Sequence, residues 1–258
     1  MHAAASERAF LGASALVFAA SIAATIASCA GMDAMGGLPM PGGWTLSMAW
    51  MPMCGQGWAH VAVGFLGMWM AMMVAMMLPA LVPALRRYRR AVGAPCPGGL
   101  AVLVGLGYFS VWAAIGIAIF PAGVAAAELA LRQPALARAV PVAAGLAVLI
   151  AGAAQFSAWK SRHLACCRAA PPRGRLAPDA GTAWRHGLRL GRHCACSCAG
   201  PTAVLLVLGV MDLGAMAAVA SAITAERLAP DGERVARGLG AVAIGAGLVL
   251  ILQAAGFR

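Results

Sequence analysis

Six long uncharged runs constrain this chain more than any other feature: Phe10–Ala30, Trp58–Leu85, Leu100–Ala127, Ala139–Ala158, Ala199–Ala222 and Gly238–Phe257, the fifth interrupted by Asp212 alone. A hydrocarbon core about 30 Å thick takes ~20 apolar residues of helix to cross. No run alternates polar and apolar residues as a barrel strand would, and lipid requires backbone hydrogen bonds to close within each segment, so helices are expected. Only 10% of the 258 residues are charged, 62% are hydrophobic and mean hydropathy is +0.84. A water-soluble domain carries about 25% charged residues. That excludes an ordinary cytosolic enzyme, a nucleic-acid binder and a disordered tail. The expectation is an all-α, polytopic transmembrane bundle of about six spans.

The net charge of +11 is confined to the gaps between the runs. Arg8, Arg86, Arg87, Arg89, Arg90, the eight basic residues from Lys160 to Arg192, and Arg258 fall on one side of a six-span chain. Arg132, Arg138, Arg227, Arg234 and Arg237 fall on the other. Basic residues collect on the cytoplasmic side, so this reading puts both termini and the loop 159–199 in the cytoplasm of a bacterial inner membrane. Residues 31–57 would then face outward. The chain divides into 1–57, a first helix with a Met-rich outer loop, and 58–258, a five-helix membrane domain. Ile26-Ala27-Ser28-Cys29 resembles a lipoprotein cleavage box, but the flank MHAAASER has only one basic residue, which favours a retained first helix.

Soft ligands are sorted along the chain. Twelve of the 15 methionines lie between Met32 and Met77. Those in the outer gap include Met51 and Met53, next to Cys54 and close to His60. Helix two carries Met68, Met72 and Met76 at i, i+4, i+8, with Met73 and Met77 beside that row. Thioether sulfur is soft and does not compete for protons, which suits Cu(I). The alternative is that Met is apolar filler; in a Gly- and Pro-rich outer gap, with little core to fill, ligation is the better expectation. Gly64, Gly67, Ala71 and Ala75 share another arc of the helix and predict close packing of that face on a neighbour.

Cysteines dominate the other side. Cys166 and Cys167 with His163, and Cys194, Cys196 and Cys198 with His193, crowd the loop 159–199. Read as an extended segment, C-x-C-x-C puts alternate thiols on one side, able to grip a low-coordinate metal. The chemistry suits Cu(I), with zinc or an iron–sulfur cluster as alternatives. Cys29 and Cys54 could form a disulfide outside, or Cys54 could join Met51 and Met53 as a ligand. Met211 and Asp212 sit within the fifth run, and an intramembrane carboxylate usually faces a pathway or partner. Glu226 and Arg227, with Asp231 and Glu233, read as decoration of an outer loop. There is no Walker loop, aspartyl-phosphate motif or nucleotide fingerprint.

The ordered series WMAMMVAMMLPALVP from Trp69, GYFSVW from Gly107, Gln155 with Trp159-Lys160 and CCR at 166–168, GLRLGRHCACSC at 187–198, GVMD at 209–212 and Glu226-Arg227 resembles a bacterial family. Its members are predicted metal-binding integral membrane proteins, some labelled copper chaperones. The chain departs from it in the spacing of Cys194, Cys196 and Cys198 and in having Arg227 where the family has Lys. The resemblance implies a non-enzymatic membrane protein that handles Cu(I). Its partners would be the lipid bilayer, a soft metal ion and a metal-donor or acceptor protein, with no nucleic acid, and a homo-oligomer is left open. The competing classes are a membrane thiol oxidoreductase and an assembly partner of another membrane protein.

Overall fold

The computed structural model describes residues 2–52, 55–93, 98–169 and 177–256. Its helices are α1 (His2–Met35), α2 (Trp58–Val92), α3 (Gly98–Arg132), α4 (Pro134–Ala154), α5 (Ala158–Arg168), α6 (Ala180–Leu208), α7 (Leu213–Leu228) and α8 (Gly232–Ala254). A two-stranded antiparallel hairpin, β1 (Gly37–Met40) and β2 (Trp44–Ser47), lies between α1 and α2. The all-α expectation holds for the bundle. Among the described residues, five helices (α1, α2, α3, α4 and α8) are long and apolar enough to cross a membrane.

The fifth run is not one helix. Gly209, with φ of +131°, ends α6, and Asp212 starts α7 by accepting the Ala215 N–H at 2.8 Å. The chain reverses between them, because Glu226 and Arg227 near the end of α7 stand beside Ser197 in α6. Arg168, at the end of α5, donates to the Glu226 and Pro230 carbonyls. The turn from α7 to α8 therefore sits at the same end of the bundle as α5, which corrects its placement on the opposite side.

Three contacts fix the remaining directions. Glu7 pairs with Arg86 and Arg89, so α1 and α2 are antiparallel. Tyr108 meets Cys194, and Gly107 packs on Trp184 and Leu188, so α3 and α6 run side by side in the same sense. Gly145 faces Gly247 while Gly152 faces Gly240 and Ile244, so α4 and α8 are antiparallel. Small residues do allow close backbone approach, as expected, but in these pairs and not in α2. Gly64 and Gly67 have nothing within 4 Å of a Cβ position, whereas Met68, Met72, Met73, Met76 and Met77 are all buried. The face expected to pack looks outward and the sulfur face looks in. Bulk explains the inversion: α2 contacts α1, α3 and α7 at once, and that volume is filled by Met, Trp69, Phe65 and Tyr88.

At two of the prolines inside these helices, a distant side chain takes up the backbone carbonyl that the proline frees. Pro141 has no N–H to give the Ala137 carbonyl, and the Trp44 Nε1–H donates there at 2.9 Å, seating the hairpin on α4. Pro201 likewise frees the Ser197 carbonyl, which accepts from Lys160 Nζ at 2.6 Å. A side-chain donor, half-buried at Trp44 and buried at Lys160, satisfies an orphaned acceptor in each place.

The hairpin builds a small core of its own. Met40 and Leu46 are buried against Ala127, Ala130 and Ala137, with Trp44 and Met51 packed alongside. The outer gap thus has a core to fill, contrary to the sequence expectation, and Met40 and Met51 contribute to it.

Candidate metal centre

The Cys/His segment is helical, and that decides which thiols can act together. Residues 194, 196 and 198 lie on α6, where i and i+4 share a face and i+2 does not. Cys194 and Cys198 point into the bundle at 0% and 1% exposure, one helical turn apart on the same face. Cys196 is half-buried on another face. The extended C-x-C-x-C arrangement is therefore replaced by a helical C-x-x-x-C pair.

Around that pair the structure gathers residues from five helices. Cys194 Sγ stands 3.8 Å from Met77 Sδ of α2 and 2.6 Å from the Tyr108 hydroxyl of α3. Arg227 of α7 donates from Nη2 to Cys198 Sγ at 3.4 Å and to Ser197 Oγ at 3.1 Å. Cys167 of α5 lies 3.9 Å from Ser197 Oγ. Beneath them Lys160 Nζ pairs with Glu226 Oε2 at 2.6 Å, and Gln155 Nε2 donates to Glu226 Oε1 at 3.2 Å. Both side chains of the ion pair are almost fully buried, at 5% and 2% exposure. The local sequence explains the arrangement. Ser157 caps α5 by accepting the Lys160 N–H, which sets the helix so that Lys160, His163 and Cys167 all face α6. Asp179 caps α6 with its carboxylate on the Thr182 N–H, and that bond holds the carboxyl below its ordinary value.

The arrangement can hold a soft ion. Three sulfurs bound at about 2.3 Å around a trigonal centre would stand about 4 Å apart, and Met77 and Cys194 already have that spacing. Two thiolates on Cu(I) leave one net negative charge, which the Arg227 guanidinium at Cys198 would offset. A tetrahedral zinc site fits less well: among the described residues no three His, Cys, Asp or Glu side chains converge.

The other sequence candidates fall elsewhere. Met68, Met72, Met73 and Met76 lie buried along α2, so the Met row faces the bundle interior and ends at Met77 beside Cys194. From Met68 to Met77 is about 13 Å of helix. Met211 is half-buried, while Asp212 is exposed and caps α7 by accepting the Ala215 N–H. His60 is exposed at the start of α2, and Met51 packs on the hairpin core. Met53 and Cys54 lie outside the described residues, and Cys29 is buried. Cys166 is exposed. His163 and His193 are half-buried with their Nδ1 atoms 3.0 Å apart. Sequence reasoning missed Tyr108, Lys160, Glu226 and Arg227 as parts of the site. Signals for three of them were present: Pro201 four residues after Ser197 announces a carbonyl needing a donor, which is Lys160, and Glu226-Arg227 ends an apolar run.

No curated protein and no solved structure matches this chain. A family profile described as PpoB2, copper chaperone, matches residues 66–250, from the Met row of α2 to the far part of α8. That span includes all the centre's residues, and the chain belongs to this copper-chaperone family.

Proposed function

We propose that the protein is a multi-pass copper chaperone of the bacterial inner membrane that carries Cu(I) on Cys194, Cys198 and Met77, without catalysing a reaction. The observation that carries the reading is the 3.8 Å approach of Cys194 Sγ to Met77 Sδ in the closed core, with Cys198 one turn along. Thiolate and thioether donors select Cu(I), and water-free surroundings disfavour oxidation to the harder Cu(II). The buried Met row supplies further thioethers between the centre and the outer part of α2. Zinc, which prefers four N or S ligands, is the weaker cargo.

Orientation follows from the redrawn end of the bundle. With the α7–α8 turn beside α5, Arg227, Arg234 and Arg237 join Arg86–Arg90 and the basic residues of α5 and α6. That strengthens a cytoplasmic assignment for this end and turns the α8 C-terminus outward.

The test is direct. Protein purified in detergent under reductant and loaded with Cu(I) is analysed by elemental mass spectrometry. The expectation is about one copper per chain for the wild type and for Cys196→Ser, as in a closed site with a fixed ligand set. Cys194→Ser and Cys198→Ser lose it, and Met77→Leu weakens it. Full retention by the Cys194→Ser/Cys198→Ser double variant refutes the assignment.

A further inference from the structure

Outside the sulfur centre, one pair of ligating side chains has no role in it. His163 of α5 and His193 of α6 meet Nδ1 to Nδ1 at 3.0 Å across the helix interface, half-buried, with the Trp159 ring edge-on to His163 at 4.7 Å. Only one of those nitrogens can carry a proton in this bond. The pair is also placed relative to the centre. His193 adjoins Cys194 in α6. His163 lies one turn before Cys167, whose thiol is 3.9 Å from Ser197 Oγ, itself 3.7 Å from Cys198 Sγ. Two nitrogens bound to one ion at about 2.0–2.1 Å stand about 2.9 Å apart at a right angle and about 4.1 Å apart in line. The observed gap lies inside that range, and half-exposed rings can widen it.

We propose that His163 and His193 form a second, transient copper station, through which Cu(I) passes between the buried sulfur centre and the end of the bundle that carries α5. The inference rests on the reading of the protein as a Cu(I) carrier and adds its doorway. Copper stays Cu(I) throughout. In the exchange the Cu–S bonds to Cys194, Cys198 and Met77 break and two Cu–N bonds form, while the shared Nδ1 proton moves to the Cys194 sulfur as an S–H bond. The Cys198 thiolate stays paired with the Arg227 guanidinium, and the half-exposed imidazole that gave up its proton takes another from water at Nε2, so no reductant is needed. Imidazole binds Cu(I) less softly than thiolate, so the station holds the ion briefly and a thiol-bearing acceptor can draw it away. Cys167, facing the same interface, bridges the two positions.

The experiment measures release from copper-loaded protein in detergent, using bicinchoninate as the Cu(I) acceptor and following absorbance of its complex. His163→Ala/His193→Ala is expected to hold the same copper per chain as the wild type but to release it at least about tenfold more slowly, the scale on which a metal site loses function with its supporting ligands. His60→Ala, at the other end of α2, is expected to release at the wild-type rate. An unchanged rate in the double variant overturns the station. Loss of bound copper also overturns it, since the histidines would then belong to the primary site. Should the double variant not fold, His163→Gln and His193→Gln are each expected to slow release, and equal rates refute the proposal. Failure of the carrier reading itself looks different: wild-type protein would take up no copper.

Discussion

Replacing Lys160 with Met tests the physical account of the core most sharply. The substitution keeps the length of the side chain and removes the ammonium, so it opens almost no cavity. It strands Glu226, whose carboxylate is 2% exposed and keeps only the Gln155 donor, and it strands the Ser197 carbonyl, which Pro201 cannot serve. Breaking a buried pair from one side costs about 3–5 kcal/mol. An unpaired buried carbonyl accounts for about 1–3 kcal/mol on its own, and that portion lies inside the total. Reversible unfolding in mixed micelles, followed by tryptophan fluorescence, reads the loss. Pro201→Ala returns an N–H to Ser197, so Lys160→Met/Pro201→Ala should lose about 1 kcal/mol less than the two single changes summed. A Lys160→Met variant within about 1 kcal/mol of wild type would refute the argument, because it would mean that water reaches the pair.

Two further outcomes follow from the packing. A Cβ at Gly107 would come within 2.6 Å of the Trp184 carbonyl, whereas one at Gly105 meets nothing within 4 Å; Gly107→Ala should lower the thermal midpoint, while Gly105→Ala should raise stability by up to about 1 kcal/mol through helix propensity. For orientation, alkaline phosphatase, which works only outside the cytoplasm, should be active when fused after residue 254 and inactive when inserted at 229–231. The reverse pattern would refute the α6–α7 hairpin.

The long helices of this fold were legible from sequence because uncharged apolar runs of that length favour helix: uncharged length alone located α1, α2, α3, α4 and α8. The fifth run misled because apolar composition does not record a reversal, and only Gly209 and the capping potential of Asp212 marked the turn. Misplacing that turn sent Glu226 and Arg227 to the wrong end and hid their part in the site. The cysteines were found by type but grouped wrongly, since C-x-C-x-C selects one set of thiols on a strand and another on a helix. The Met row was visible as an i, i+4, i+8 pattern, yet periodicity could not say which face would be buried. That depended on the volumes offered by α3 and α7, which a single helix does not encode.

Burial of the Met row also governs how the protein ages. Copper in an oxidising setting generates species that convert thioethers to sulfoxides, turning a pliable apolar group into a polar, chiral one. Met72, Met73, Met76 and Met77 are between 0% and 3% exposed, so such oxidants meet them only after α2 separates from α3 and α7. Their chemical lifetime is therefore set by how rarely the bundle opens, not by the intrinsic reactivity of sulfur. A variant that loosens the helices would accumulate sulfoxide at these positions well before it unfolds. Peptide mass mapping after peroxide exposure would thus report breathing of the bundle one methionine at a time.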